Sequence, residues 1–255
     1  MTARLRVSEV GWRIGERPIL EGVTFEAAPG EFIALMGRNG AGKSTLLDLV
    51  AGMWLPYRGE IALENRPLHK WSSAERARAI GHLPQAVAPN APFTAEELVL
   101  MGRYPYASTW FESDADRLAV ARAMARCSCE AFRKRRVTTL SGGERQRVQL
   151  AACLAQEAKL LLLDEPATFL DVDQQLHCFT LLREEAAHGV TCIAVTHDVN
   201  LALTFCSRII VLADRTIAHD AQAANALARP EWLELFSSRL QITATPEGQP
   251  WVCYR

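Results

Sequence analysis

Along the first third of the chain, apolar positions come in short runs divided by turn residues. Residues 5–10, 19–25 and 32–36 are three such runs, with Gly15-Glu16 and Pro29-Gly30 between them. Runs of this length, bounded by glycine and proline, predict strands. A glycine-rich stretch follows and opens a helix over about residues 43–51, and a further strand is predicted over 59–63. Ser72 and Glu75 have the spacing of a capping box and predict a helix through Ala79. The run 80–84 is a short strand ending at a proline. From 86 to 140 the pattern turns mostly helical, with Thr94/Glu97 and Ser113/Asp116 as helix starts. Helix and strand then alternate: helix 142–156, strand 160–163, helix 172–187 stopped by Gly189, strand 191–195. The tail from residue 231 predicts a short helix, then a hairpin across Pro246-Glu247-Gly248. Apolar strands alternating with helices imply an α/β class with a mostly parallel sheet covered on both faces.

Composition narrows this picture. A chain of 255 residues can bury a large core without disulfides or structural metals. Its net charge of −1 argues against a nucleic-acid binder that relies on a strong basic field. The longest apolar run, 49–55, is far short of the roughly 20 residues that span a bilayer. The first six residues show no apolar stretch of signal-peptide type, so the expected compartment is the cytosol. The cysteines number seven, an odd count, and Cys153, Cys192 and Cys206 lie in apolar contexts. Small buried hydrophobes are the expectation for them. Cys127 and Cys129 form a lone pair with no second pair nearby, so no metal site is expected there.

Three segments carry chemistry. Gly37-Arg38-Asn39-Gly40-Ala41-Gly42-Lys43-Ser44 fits G-x-x-x-x-G-K-[ST], between a predicted strand and a predicted helix that takes in Thr45. Its glycines let backbone N–H groups converge on phosphate oxygens, and the helix dipole adds positive potential. Lys43 can neutralise outer phosphates, and the Ser44 hydroxyl can coordinate Mg²⁺. The strand Leu160-Leu161-Leu162-Leu163 ends in Asp164-Glu165. Asp164 is placed to hold the Mg²⁺ shell, and Glu165, one residue on, to polarise an attacking water; strand ends beside a loop–helix turn are where ligands bind in such sheets. In Leu140-Ser141-Gly142-Gly143-Glu144-Arg145-Gln146-Arg147, Ser141 and Glu144 again make a capping box. Two consecutive glycines in a helix's first turn lose roughly 1 kcal/mol each, which implies that something approaches the backbone closely. A helix N-terminus with a serine is an anion site.

With these motifs in this order, the chain over residues 5–212 resembles the ATP-binding subunit of an ATP-binding-cassette (ABC) transporter. The resemblance implies a P-loop NTPase fold of ABC type, with an N-terminal antiparallel β subdomain and an inserted helical subdomain. The implied divisions are a core of 1–85 and 141–215, a helical subdomain of 86–140 ending at the signature segment, and an extension of 216–255. It implies ATP and Mg²⁺ as cofactors. Two copies would stack head to tail, with Ser141 and Gly143 of one completing the γ-phosphate site on the phosphate loop of the other. Gln85 matches the glutamine that touches Mg²⁺ and moves with the membrane partner. Asp171, in Thr168-Phe169-Leu170-Asp171, matches an interface aspartate, and His197, in Val195-Thr196-His197-Asp198, matches the switch histidine. Hydrolysis would be in-line attack by water, with charge stabilised by Lys43, Mg²⁺ and the trans Ser141.

The chain departs from the family pattern in places. The aromatic that stacks on adenine aligns nearer Ile14, whereas Trp12 is the nearby aromatic and the residue chosen for that role. Arg215 stands where a glycine is usual after Ala213-Asp214, so an altered strand turn is expected there. Ala167 replaces a common threonine, with little effect expected. Gly102-Arg103-Tyr104-Pro105 and Thr196-His197-Asp198-Val199-Asn200-Leu201-Ala202 resemble the cassettes that import iron–siderophore complexes, heme or cobalamin. The expected partners are an integral membrane permease, with contacts near Phe93 and Arg103, and indirectly a substrate-binding protein; no nucleic acid is expected. The expected location is the cytoplasmic side of the inner membrane, as a peripheral subunit. The basic run Arg133-Lys134-Arg135-Arg136 reads as a solvated face. Competing readings are a soluble cassette, such as an iron–sulfur assembly ATPase, and a ribosome- or DNA-associated cassette. The latter ranks last, because the chain has one set of motifs and no sustained heptads.

Overall fold

The computed structural model describes residues 3–85, 92–106, 113–228, 230–237, 239–244 and 250–254. The predicted turn at 246–248 lies outside them. The N-terminal runs form β1 (Leu5–Ile14) and β2 (Arg17–Ala27), followed by β3 (Phe32–Gly37), α1 (Lys43–Val50), β4 (Arg58–Leu63) and β5 (Arg66–Pro67). Then come α2 (Ser73–Ala79), β6 (Ile80–Leu83), α3 (Ala95–Met101), α4 (Asp114–Arg126) and α5 (Gly142–Ala155). The chain continues through β7 (Leu160–Asp164), α6 (Val172–Ala187), β8 (Thr191–Val195), α7 (Val199–Phe205), β9 (Arg208–Ala213) and β10 (Thr216–Gln222). It closes with α8 (Ala223–Ala226), β11 (Leu240–Ala244) and β12 (Pro250–Tyr254). The two predicted capping boxes, Ser72/Glu75 and Ser141/Glu144, form, and the predicted helix starts Thr94/Glu97 and Ser113/Asp116 are capping boxes as well. Strands β1 and β2 run past the predicted limits to a hairpin at Gly15-Glu16, because ladder pairing continues to Ile14 opposite Arg17 beyond the apolar stretch.

A six-stranded sheet has the order β10-β9-β3-β8-β7-β6. Strands β9, β3, β8, β7 and β6 are parallel, and β10 returns antiparallel at the edge. An antiparallel sheet of order β2-β1-β4-β5 packs on one face of it. The split of the core follows the two-residue period of a strand. Ile33, Leu35, Leu160, Leu162, Ile193 and Val195 face α1 and the antiparallel sheet. Their neighbours Phe32, Ala34, Leu161, Leu163, Cys192 and Ala194 face the helices. That double burial is why the parallel strands read as unbroken apolar runs. The architecture is a mixed sheet core with a helical layer on one face and an antiparallel sheet on the other.

The helical layer is locked to the core by the Gly102–Tyr106 segment. Arg103 is buried; its Nε donates to Asp116 at 3.0 Å and its Nη1 to Ala155 O and Glu157, each at 2.8 Å. The guanidinium lies 4.2 Å from the Tyr106 ring, whose hydroxyl donates to Gln156 O at 3.0 Å. Arg78, at the end of α2, donates to Pro105 O at 2.7 Å. Arg103 therefore faces inward, and of this segment Tyr104 is the residue presented to solvent, at 82% exposure. The basic run is also partly engaged: Arg133 pairs with Glu96, and Arg135 with Glu144 and Thr139 O.

The turn at Asp214-Arg215 closes the β9–β10 hairpin in two residues, with Ala213 opposite Thr216. Both turn residues take positive φ, 48° and 71°. The expected alteration does not occur: arginine adopts the left-handed backbone that glycine would take there without strain.

Candidate nucleotide site

The parallel strands β3, β6, β7 and β8 deliver their carboxyl ends to one edge. Beyond β3 lies the phosphate loop, and beyond β6 lies Gln85. Asp164 and Glu165 stand at the end of β7, and His197 follows β8. Residues far apart in sequence thus meet because sheet order, not chain order, sets their spacing.

The loop turns into α1 at Gly42, whose φ of 98° and close approach to Leu20 (2.7 Å from where a Cβ would stand) leave no place for a side chain. Arg38, Asn39 and Gly40 are exposed at the tip, and Ala41 and Thr45 are half-buried. Lys43 is buried, and its Nζ donates to Gly37 O at 2.9 Å and Arg38 O at 3.0 Å. Burial pushes this ammonium below the ordinary lysine range, while the nearby Glu165 and Asp164 carboxylates oppose that shift.

Asp164 is 4% exposed, and its Oδ1 is buried without a hydrogen-bond partner among the described residues. Burial raises its carboxyl above the ordinary range; a hydrogen bond with Ser44 pulls the other way, and the charges of Glu165 and Asp48 add to the rise. An orphaned buried oxygen costs about 1–3 kcal/mol. A hard cation that takes oxygen ligands would satisfy it, and Ser44 and Asp164 form the oxygen pair that Mg²⁺ accepts alongside phosphate oxygens. The residues present fit that ion.

Glu165 sits at φ 52°, a left-handed backbone that costs about 1–2 kcal/mol outside glycine. The surroundings hold it there. Gln146, buried in α5, donates from Nε2 to Glu165 O at 3.3 Å and to Pro166 O at 3.1 Å. The carboxylate is held by three side chains: Gln85 Nε2 donates to Oε1 at 3.3 Å, Thr168 Oγ1 donates to Oε2 at 3.0 Å, and His197 Nε2 stands 3.1 Å from Oε1. The structure therefore brings Glu165, Gln85 and His197 together on one oxygen. Thr168 and Gln146 lie inside segments singled out from the sequence, yet nothing in their spacing marks them as supports of Glu165.

Ser141 caps α5 and is exposed. The close approach inferred from Gly142-Gly143 comes from this chain itself. A Cβ at Gly142 would lie 3.2 Å from Phe169 Cβ, and one at Gly143 would lie 2.8 Å from Phe169 O. Phe169 has φ 67° and is 74% exposed. Asp171 caps α6, accepting from Gln174 N at 2.9 Å. Trp12 is half-buried, its ring tilted 38° on Trp54 with centroids 6.0 Å apart, while Ile14 is 67% exposed.

The family profile described as "ABC transporter" matches residues 20–168. A hemin import ATP-binding protein HmuV of Streptomyces coelicolor is 40% identical over 91% of this chain and 83% of its own length. A cobalamin import ATP-binding protein BtuD of Halobacterium salinarum is 39% identical over 89% of this chain, which spans 57% of that longer relative. Among solved structures, a chain of a transporter described as of metal-chelate type, in an inward-facing conformation, superposes with a TM-score of 0.82. It is 27% identical, covering 99% of this chain and 97% of that one. A dimeric ATP-binding cassette in a post-hydrolysis state with ADP and Pi gives 0.77 at 28% identity, over 86% of this chain and 98% of that one.

Proposed function

The chain belongs to the ABC transporter family as an ATP-binding and hydrolysing subunit, and we propose that it powers import of a metal chelate of the heme or cobalamin class through a separate membrane permease. The observation that carries the reading of the site is the convergence of Gln85 and His197 on one oxygen of Glu165, at 3.3 and 3.1 Å. The naming of hemin and cobalamin import in the relatives supports the cargo class.

In this reading the loop Gly37–Ser44 receives the phosphates on its backbone N–H groups, with Thr45 at the first turn of the helix. Lys43 exchanges the carbonyls of Gly37 and Arg38 for phosphate oxygens, a short move for an ammonium already aimed along the loop. Ser44, Asp164 and Gln85 would hold Mg²⁺, which would supply neutralisation of phosphate charge. Glu165 orients water and takes its proton. His197 fixes the Glu165 carboxylate and reaches toward the outer phosphate. A second copy stacks head to tail, so that Ser141 and Gly143 of the partner subunit close the site, with Asp171 at the interface. Trp12 is the residue proposed to stack on adenine. The core is residues 1–85 and 141–215, the helical subdomain is 86–140, and 216–255 is an extension.

Permease contact is proposed at the apolar cleft between β6 and α3, lined by Leu83, Pro84, Leu98, Met101 and Gly102. It adjoins Gln85, so a load on the cleft is felt at the Glu165 carboxylate. Among the described residues no helix is long and apolar enough to cross a membrane. A peripheral place on the cytoplasmic face, held by the permease, follows from this reading, and a substrate-binding protein would deliver the cargo from the other side.

The test uses Glu165→Gln, expected to keep Mg·ATP binding while turnover falls by about 10²–10⁴. Isolated from its native cell in mild detergent with Mg·ATP, the tagged variant is expected to bring down a polytopic membrane protein. Recovery of soluble partners alone would replace the transport reading with that of a soluble assembly ATPase.

A further inference from the structure

The run that follows β8 places an asparagine three residues after His197. The side chain of Asn200, half-buried in the first turn of α7, makes two hydrogen bonds to a single backbone residue. Its Nδ2 donates to Val252 O at 3.0 Å, and its Oδ1 accepts from Val252 N at 3.0 Å. The amide thus fills the role of a neighbouring strand on the outer edge of β12, supplying one donor and one acceptor to one residue. Val252 is 5% exposed and sits opposite Ile242 of β11, so the residue that Asn200 grips belongs to the core and not to a loose end.

The other end of the same short segment carries the site. Asp198 N donates to Thr196 Oγ1 at 3.2 Å, and the Asp198 carboxylate accepts from Leu201 N at 2.9 Å. Between these two residues His197 projects to Glu165. Helix α7 is seven residues long, too short to hold its own direction without tertiary support. Its apolar side rests on α6 through Phe205 against Phe179, with ring centroids 5.8 Å apart. That contact lies at the helix's far end. At the near end, the Asp198 cap and the buried Val199 are joined by the two-bond grip on Val252, which ties the turn from which His197 departs to the C-terminal ribbon.

We infer that Asn200 is a positioning residue for hydrolysis, tying α7 to the C-terminal ribbon and so setting where His197 meets Glu165. The inference rests on the assignment of His197 and Glu165 to the reaction proposed above. It gives the β11–β12 ribbon a part in setting the rate.

The experiment measures steady-state Mg·ATP hydrolysis by the full-length chain as wild type, Asn200→Ala, Asn200→Asp, His197→Ala and the Asn200→Ala/His197→Ala double variant. Asn200→Ala is expected to lower kcat about tenfold while KM for ATP stays within about twofold, as displacement of a reacting group requires. Asn200→Asp keeps the volume and the acceptor but loses the donor to Val252 O. It is expected to fall equally, and it carries the test if the alanine variant does not fold. In the His197→Ala background the Asn200 substitution is expected to add no further loss, an outcome a merely structural role would not give. Unchanged kcat in folded Asn200 variants, or losses that multiply in the double variant, would overturn the inference while leaving the site reading intact. Unchanged kcat in His197→Ala would instead remove the assignment of His197, and the inference with it.

Discussion

Arg215 shows what a single residue gives up for a turn. Its φ of 71° costs about 1–2 kcal/mol relative to glycine, and its exposed ion pair with Glu21, at 3.3 Å, returns about 0.2–1 kcal/mol. Arg215→Gly is therefore expected to stabilise the chain by about 0.5–1 kcal/mol, raising the thermal midpoint by ~1–4 °C; a lower midpoint would contradict the strain argument. At this scale some of the site was legible and some was not. In the proposed site, Lys43, Ser44, Asp164 and Glu165 are marked by type and spacing, because phosphate and Mg²⁺ binding would demand those groups. Gln146 and Thr168 are not marked, because their task is to hold the backbone and carboxylate of Glu165 in place. Phe169 escaped for a related reason: its significance is its contact with two glycines that are distant in sequence. The glycines signalled a close approach, but not its source.

Among the elements, helix starts were the most legible, since a capping box is a local device whose donors and acceptors lie within four residues. That of α2 has a titratable consequence. The hydrogen bond from Arg66, aided by the Ser72 backbone N–H, lowers Glu75 from an ordinary 4.5 to about 2. A carboxyl held low in the folded state adds stability that is full above its unfolded value and is lost as pH falls toward the folded one. The contribution of this cap should thus fade between about pH 4.5 and 2. Carboxyl-carbon NMR should place the Glu75 midpoint near 2 in the wild type and higher in Arg66→Ala; equal midpoints would refute the assigned cause. Strand limits were less legible. Strands β1 and β2 outrun their apolar cores, because ladder hydrogen bonds do not depend on side-chain polarity. Helix α7 has too few residues for a periodic pattern to appear.

Across the whole molecule, the parallel sheet could be read from the sequence because strands buried on both faces must be apolar throughout. Sheet order could not, since nothing local states that β8 lies between β3 and β7. Burial also governs the thiols, Cys192 within the sheet and the other buried ones on or beside the helices. Cys127, Cys129, Cys153, Cys178, Cys192 and Cys206 are buried, and Cys253 is half-exposed. Desolvation holds Cys129 at about 11 and pushes Cys153 and Cys178 up to about 12. Iodoacetamide on the native chain at neutral pH is expected to label Cys253 well ahead of the others, with all seven reacting after denaturation. Early labelling of Cys153 or Cys178 would show that the helical layer opens.

The Arg103 lock also has a mechanical meaning. Helix α5, fourteen residues long, is a rod of about 21 Å. At one end Arg103 and Tyr106 are bolted to Ala155 and Gln156; at the other stands Ser141. A packed helix compresses little. Under the proposed permease contact, a displacement of the Arg103–Tyr106 anchor would arrive at Ser141 as travel along a push-rod and not as bending.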